Sequence, residues 1–357
     1  MPVPNPRTPL VPDFDIIING SPLPTTAEPY VIGVTVDNDS ELPSMFAIEL
    51  SGADTQGTDM PWIDDRTLFS VGNAVEIKLG YAGQVDSLIV GEITSLEPEF
   101  VFNRLPSLIV RGYDRRHRLQ RGRKTRTFVQ QKDSDIAAQI ASAAGLTAQT
   151  TDSQVVHDYV MQVNQSDMEF LQERARRLQY EVIVQDKTLI FRPVGNAESA
   201  VLTVTFNDDL LEFYPRLSSA YQVNEVTVRG WNPKEKKEIV GRAQKGDEVS
   251  KMGGQATGAA LTESKFGAAI GVMGDYPILT QAEADRLAKA RFNNMALSFI
   301  VGEGICWGRT DLRPGKVIQI DGVGTRFSGQ YYLTSTLHRY SPHQGYRTHF
   351  TVHRNAS

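Results

Sequence analysis

The sequence has almost no cysteine and no long apolar run. Cys306 is the single cysteine among 357 residues, so an intramolecular disulfide is impossible and a cysteine-based zinc site is not expected. No segment reaches the roughly 18 apolar residues of a membrane-spanning helix, and the Pro-rich start lacks a signal-peptide core. The sequence therefore predicts neither a disulfide scaffold nor a membrane span.

The chain also has no large excess of either positive or negative charge. The chain carries 37 basic and 42 acidic residues, a formal net charge of -5, which does not mark the whole chain for nucleic acid or a membrane surface. Walker-type glycine loops, His-Glu-x-x-His and Gly-x-Ser-x-Gly patterns are missing, and no carboxylate pair stands out. The sequence thus predicts no enzyme and no cofactor.

Short alternating segments dominate residues 14–115. Asn19-Gly20 predicts a tight hairpin turn, and strand candidates follow at residues 30–36, 45–50, 74–79, 87–95 and 105–112. Such a series is typical of a barrel or sandwich, so we expect a first β-barrel domain here. Residues 1–13 are Pro-rich and are expected to form an extended N-terminal arm.

The pattern changes to mixed α and β in residues 116–195. Asp133-Ser134-Asp135 predicts a helix start, with Gly145 beyond its end. Ser166-Asp167-Met168-Glu169 forms a capping box, in which the serine oxygen accepts a backbone N–H and the glutamate reaches back. A hairpin turning at Asp186-Lys187 follows. These elements predict an inserted α+β domain.

Strands return in residues 196–357, which we expect to form a second β-barrel domain. Residues 246–275 are glycine-rich with weak periodicity and are predicted to form a long loop. A second capping box begins at Thr280 and predicts a helix over residues 280–299. The predicted class is therefore α+β and predominantly β, with a helical and loop insertion in the second β domain.

Two β segments echo each other. One contains Val71-Gly72-Asn73, then Ile93-Thr94-Ser95, then an alternating strand over residues 108–111. The other contains Pro314-Gly315-Lys316, then Leu333-Thr334-Ser335, then an alternating strand over residues 350–354. Chance similarity between short strands is the alternative. The shared order favours duplication, which suggests a ring or tube of alternating copies.

Several motifs lie along the chain in a fixed order. They are Gly112-Tyr113-Asp114, Ser166-Asp167-Met168-Glu169-Phe170-Leu171, Asp311-Leu312-Arg313-Pro314-Gly315 and Ser328-Gly329-Gln330-Tyr331-Tyr332. In this order they resemble the late control protein D and VgrG-like baseplate hubs of phage tails, type VI machines and extracellular injection particles. The resemblance extends over most of residues 14–354 and singles out Ser166, Asp167, Glu169, Phe170, Leu171, Pro314, Gly315, Gly329 and Tyr331 as a structural motif.

The resemblance implies a homotrimeric hub with two tube-forming β-barrel domains per chain. Such a hub adapts a threefold spike to a sixfold inner tube, assembles in the cytoplasm and becomes part of the baseplate of a tail-like particle. Its partners are the inner tube, other baseplate proteins and an OB-fold and β-helical spike. Since the sequence ends at Ser357, the spike is either a separate chain or a missing C-terminal part.

Alternative functions rest on two residue clusters and on analogy. Residues 111–126 hold eight Arg or Lys residues, which suits a nucleic-acid-binding β-barrel but equally a solvated, ion-paired face. His338, His343, His349 and His353 do not follow a metal-ligand spacing, and Cys306 lacks an activating partner. A tail-associated peptidoglycan hydrolase is the remaining alternative. We expect no metal and no nucleic acid.

Overall fold

The computed structural model describes residues 11–52, 61–274 and 277–357. Most of the predicted N-terminal arm lies outside these residues, and its last positions, Pro12 and Asp13, already belong to the first strand. Within the described residues, none of the helices combines the length and the apolar character that crossing a membrane would require.

In residues 11–52 and 61–115, the first β segment has seven strands and a 3-10 turn at Glu28–Tyr30. Its hairpin turn has positive φ at Asn19 (51°) and Gly20 (83°), as the Asn-Gly pair predicts. The strands are β1 (Pro12–Ile18), β2 (Ser21–Pro22), β3 (Val31–Asp39), β4 (Met45–Ser51), β5 (Ala74–Tyr81), β6 (Gln84–Glu99) and β7 (Ser107–Asp114). Their inward side chains form one core that includes Val34, Phe46 and Ile77.

The inserted segment has its own core, in which Ile136, Leu171 and Phe191 are buried together. Its elements are α1 (Arg116–Gln120), β8 (Lys124–Lys132), α2 (Asp133–Ala143), β9 (Thr147–Thr150), β10 (Val156–Gln165), α3 (Asp167–Arg176), β11 (Tyr180–Gln185) and β12 (Thr188–Pro193). Strands β8 and β10 form an antiparallel ribbon, and β12 pairs with β11 on one side and β9 on the other.

The last segment holds a second β core and a small sheet covered by a helix. Its elements are β13 (Thr203–Thr205), β14 (Leu210–Leu217), β15 (Glu225–Asn232), β16 (Lys237–Gln244), α4 (Gly258–Phe266), β17 (Ile270–Met273), α5 (Gln281–Leu297), β18 (Ile300–Trp307), β19 (Val317–Asp321), β20 (Gly329–Ser341) and β21 (Gly345–Arg354). Strands β15–β17 form the small sheet, and Phe292 of α5 is buried in its core.

One extended sheet runs through both β segments. Its strand order is β14-β18-β21-β20-β3-β4-β7-β6-β5-β1-β2, with β19 and β13 attached at β20. The predominantly β, α+β class is therefore confirmed. Among the described residues this path remains open at its ends and does not close on itself as a barrel.

The prediction of a long loop over residues 246–275 is wrong in its second half. Helix α4 begins after Thr257, whose Oγ1 accepts a hydrogen bond from Ala260 N at 3.3 Å, and strand β17 follows. The surrounding glycines interrupt the helical spacing of apolar residues, so the sequence pattern does not indicate the buried helix face at Ala259. The final position of the range, 275, lies outside the described residues.

Candidate assembly interface

The two β segments share one five-strand topology. In the first repeat the order is β3-β4-β7-β6-β5, and every neighbouring pair is antiparallel. In the second repeat the order is β14-β18-β21-β20-β19, again antiparallel throughout. The two echoing segments of the sequence therefore occupy matching positions in the fold, as a duplication predicts.

The glycine turns of the two repeats make the same hydrogen bonds. Gly72 N donates to Ile93 O at 2.8 Å, and Ile93 N donates to Asn73 O at 2.9 Å. In the second repeat Gly315 N donates to Leu333 O at 2.9 Å, and Leu333 N donates to Lys316 O at 2.8 Å. Both glycines have positive φ, 95° and 82°, where a side chain would be strained.

A β-bulge lies at the same place in each repeat. Thr94 is the extra residue between Ile93 and Ser95, which face consecutive residues of β7. Thr334 is the extra residue between Leu333 and Ser335, which face consecutive residues of β21. The hairpins that follow are equally long, so each residue of the β6–β7 hairpin has a counterpart 240 positions later in the β20–β21 hairpin.

The repeats are joined edge to edge inside the chain. Residues 335–340 of β20 pair with β3 in antiparallel register, so that His338 faces Val36 and Tyr340 faces Val34. The ring of Tyr340 packs against Phe14 of β1, with 5.1 Å between ring centroids. Tyr346 is only 2% exposed and belongs to the first core, near Tyr81. The second repeat's hairpin thus completes the core of the first.

A neutral histidine lies in this internal joint. His338 is fully buried, with its Nδ1 at 2.9 Å from the Tyr346 hydroxyl and 3.1 Å from Thr348 Oγ1. Burial, and secondly the charge of Arg313, lower the pKa of His338 to about 3. The imidazole is therefore uncharged at neutral pH.

A second set of contacts joins the two repeats, between the turn that precedes Pro314 in the second repeat and strand β6 in the first. Arg313 Nη1 donates to Leu88 O at 2.8 Å, and its other terminal nitrogen donates to Ser87 O. Thr310 Oγ1 donates to Asp86 at 2.9 Å. A partly buried guanidinium bonded to two strand carbonyls fixes the turn against β6.

The predicted motif of the inserted segment caps a helix. Ser166 Oγ accepts from Glu169 N at 3.1 Å, and Ser166 N donates to Glu169 Oε2 at 2.9 Å, which is the predicted capping box. Asp167 is buried and accepts from Lys124 Nζ at 2.6 Å. Phe170 stacks on Phe128 with 5.6 Å between centroids. These contacts stabilise the inserted segment.

The remaining motif residues lie in the second repeat, away from Ser166. Tyr331 is fully buried, donates its hydroxyl hydrogen to Phe327 O at 2.7 Å and packs edge-on against Phe213 of β14. Gly329 begins β20 with φ at 143° and lies under the Arg354 guanidinium, where a Cβ would collide. The structure does not bring the motif residues together into one site.

The basic run over residues 111–126 is largely paired within the chain. Arg118 Nε donates to Glu92 at 2.8 Å, and Arg111 Nε donates to Glu97 at 2.8 Å. Arg116 is buried beside Asp114, with 2.8 Å between Nε and the carboxylate. This pairing favours the ion-paired face over a phosphate-binding surface.

The histidines and the cysteine lie in separate environments. His338 is buried in the joint, whereas His343 is exposed on the β20–β21 turn. Burial raises the pKa of the Cys306 thiol, which lies in the second core. Across residues 11–52, 61–274 and 277–357, no group of three His, Cys, Asp or Glu residues is arranged to hold a metal ion.

The fold is that of phage tail and type VI secretion proteins. The 43 kDa tail protein of prophage MuSo2 from Shewanella oneidensis matches with a TM-score of 0.72 and 11% identity, over 96% of this chain and 98% of that one. A tail protein from Neisseria meningitidis matches with a TM-score of 0.69 and 12% identity, over 96% and 97%. The E. coli c3393 protein, a type VI secretion component, matches with a TM-score of 0.60 and 11% identity, over 92% and 74%.

Sequence comparison places the chain in a family. The model of the Alg8 N-terminal domain matches residues 9–341, and the chain belongs to that family. No curated protein matches the chain in sequence.

Proposed function

We propose that the chain is a structural subunit of the baseplate hub of a contractile injection machine. Three copies form a ring of six similar repeats, which meets a sixfold inner tube on one face and carries a threefold spike on the other. Assembly takes place in the cytoplasm, and the ring becomes part of a tail-like particle together with tube, spike and other baseplate proteins. The role is mechanical and not enzymatic.

The observation that carries this proposal is a pair of matching unpaired edges. Among the described residues, residues 95–99 of β6 pair only with β7, and residues 212–217 of β14 pair only with β18. Their counterparts in the other repeat are the edges of β20 and β3 that form the internal joint. The same joint can therefore form between copies, with β6 of one chain against β14 of the next.

The internal register, transferred to this second joint, brings opposite charges together. Leu337 and Asp37 face each other in the internal joint. Their counterparts in the joint between copies are Glu97 and Arg216. Leu96 then faces Leu217. A cross-strand pair of opposite charge favours this register over slipped alternatives.

The symmetry of such a ring follows from the two repeats. Each copy presents one β6 edge and one β14 edge, so the contact is head-to-tail and must close on itself. Three chains with two repeats each supply six similar positions for a sixfold tube while retaining threefold symmetry for a spike. Fold likeness to tail proteins agrees with this role.

Native mass spectrometry over a range of protein concentrations tests the proposal. We expect monomers and closed trimers. A stable dimer, or a hexamer of whole chains, would contradict the ring.

A double-mutant cycle tests the register of the joint. Glu97→Gln and Arg216→Gln should each weaken trimer formation, by about 0.2–1 kcal/mol per contact, and the double variant should be little worse than either one. The control is the same cycle on Arg229 and Glu238, an exposed pair at 2.9 Å within the β15–β16 hairpin. Strictly additive effects of the Glu97 and Arg216 changes would show that these residues do not face each other.

A further inference from the structure

The tip of the β6–β7 hairpin exposes apolar side chains that belong to none of the hydrophobic cores formed by the described residues. Phe102 is 92% exposed and Phe100 is 64% exposed, and Val101 and Leu105 beside them are also exposed. An apolar cluster of this kind on a short hairpin indicates a contact with another surface.

The counterpart of this tip in the second repeat shows what such a hairpin contacts. Tyr340, the counterpart of Phe100, packs against Phe14 of the neighbouring repeat. Tyr346, the counterpart of Pro106, is buried in that repeat's core. The β20–β21 tip therefore extends beyond its own repeat and packs on the one next to it.

The second repeat also has an aromatic residue beside the strand that corresponds to β5, although β13 runs parallel to β19 whereas β1 runs antiparallel to β5. Phe14 pairs with Leu79 near the end of β5. At the matching end of β19, Phe206 N donates to Asp321 O at 3.0 Å, which sets Phe206 beside Gly322, the counterpart of Leu79. Phe206 is 38% exposed, so the ring is accessible.

We infer that Phe100 of one copy packs on Phe206 of the next copy, as Tyr340 packs on Phe14 within one chain. The partner of the exposed β6–β7 tip is thus a second copy of this chain. The inference rests on the proposed ring and adds to it the contact that holds each joint between copies.

The backbone of this joint explains why a side-chain contact is needed. His338 and Val36, which face each other in the internal joint, have Pro98 and Pro215 as counterparts. Proline lacks an N–H, so neither residue can donate a hydrogen bond across the joint between copies. Side chains at the tip then carry more of the association than they do inside the chain.

Photo-crosslinking tests the contact directly. The chain carries p-benzoylphenylalanine at position 100, is irradiated at high protein concentration, and is analysed on a denaturing gel and by peptide mass spectrometry. We expect covalent dimers and trimers whose crosslinked peptides contain Phe206. The control carries the same group at position 266 on α4, where Phe266 is 75% exposed, and should give no crosslink to Phe206.

The outcomes separate this inference from the proposed function. Trimers by native mass spectrometry without a crosslink to Phe206 would overturn the contact and leave the ring standing. Monomers without crosslinks would overturn both. Crosslinked dimers that never close into trimers would support the contact and contradict the ring.

Substitution at the tip gives a second measurement that does not depend on the photo-reactive group. Phe100→Asp should weaken trimer formation by roughly tenfold or more, because it buries a charge in an apolar contact. Phe266→Asp changes a phenylalanine on α4 that is at least as exposed as Phe100, and it should leave association unchanged. Equal effects of the two changes would overturn the inference, since they would mark a general loss of apolar surface.

Discussion

Acid should weaken the internal joint through His338. The folded chain holds the pKa of this buried imidazole at about 3, whereas a histidine in the unfolded chain titrates near 6.5. Between these values the unfolded chain binds the extra proton. The stabilising contribution is therefore complete above pH 6.5 and is lost as the pH falls towards 3.

The size of this effect follows from the two pKa values. Between pH 8 and pH 5 the unfolded histidine becomes almost fully protonated while the folded one stays neutral, so the free energy of unfolding should fall by about 2 kcal/mol. Carboxylates act in the same direction, since the partners of Asp133 and Glu92 lower the pKa of both groups. The contribution of His338 therefore has to be measured as a difference between variants.

The assay compares urea unfolding of the wild type and His338→Gln at pH 8 and pH 5. The variant should be less stable at pH 8, because it loses the bonds to Tyr346 and Thr348. From pH 8 to pH 5 the free energy of unfolding of the variant should fall by about 2 kcal/mol less than that of the wild type. His343→Gln, a change on the exposed turn, is the control and should match the wild type. An identical pH dependence of the wild type and His338→Gln would refute the reasoning.

Further stability and assembly changes follow from other contacts. Ser166→Ala should lower the free energy of unfolding by about 0.5–2 kcal/mol, because an N-cap is lost. Phe170→Ala should cost about 3–5 kcal/mol, because the buried ring leaves a cavity; two unchanged melting temperatures would contradict the helix contacts. Gly315→Ala should cost about 1 kcal/mol or more in the same melts, since its φ is 82°. Pro98→Val with Pro215→Val should tighten trimer formation in native mass spectrometry, because both edges regain a donor; weaker association would contradict the proposed register.

Local patterns in the sequence were enough to predict the repeats. Gly72 and Gly315 mark turns, and the Thr-Ser pairs after Ile93 and Leu333 mark the strands that carry the bulges. Turn glycines and alternating strands depend on neighbours within a few residues, so their signal survives in a single sequence. The capping box at Ser166 is local in the same sense.

Strands β14 and β18 of the second repeat are hard to recognise in the sequence because their residues look unfavourable for a strand in isolation. Strand β18 contains Gly302 and Gly304, which lower strand propensity. In the sheet both glycines lie under aromatic rings, of Phe213 and Phe350, where a Cβ would collide. Strand β14 contains Pro215, which argues against a central strand, and its position at the sheet edge tolerates the proline.

The candidate interface could not be predicted from the sequence. Whether a strand lies at an edge depends on which elements pack around it, and that is a property of the assembled sheet. The pairing of β20 with β3 joins residues about 300 positions apart in the chain. The exposed phenylalanines of the β6–β7 tip can be interpreted as a contact only by comparison with Tyr340 and Phe14 in the internal joint.

The internal joint and the proposed joint between copies share a register but differ in the side chains that hold them, and this difference suits a subunit that must exist before the proposed ring forms. The internal joint places His338 opposite Val36, with Tyr346 buried and Phe14 and Tyr340 partly buried against the first core. The proposed joint between copies places Pro98 opposite Pro215, and the prolines make the free edges of β6 and β14 poor templates for unrelated strands. Partner choice then falls to the Glu97 and Arg216 charges and to the phenylalanines at positions 100 and 206. A joint specified by side chains can stay open in the free subunit and close only against a correctly oriented copy.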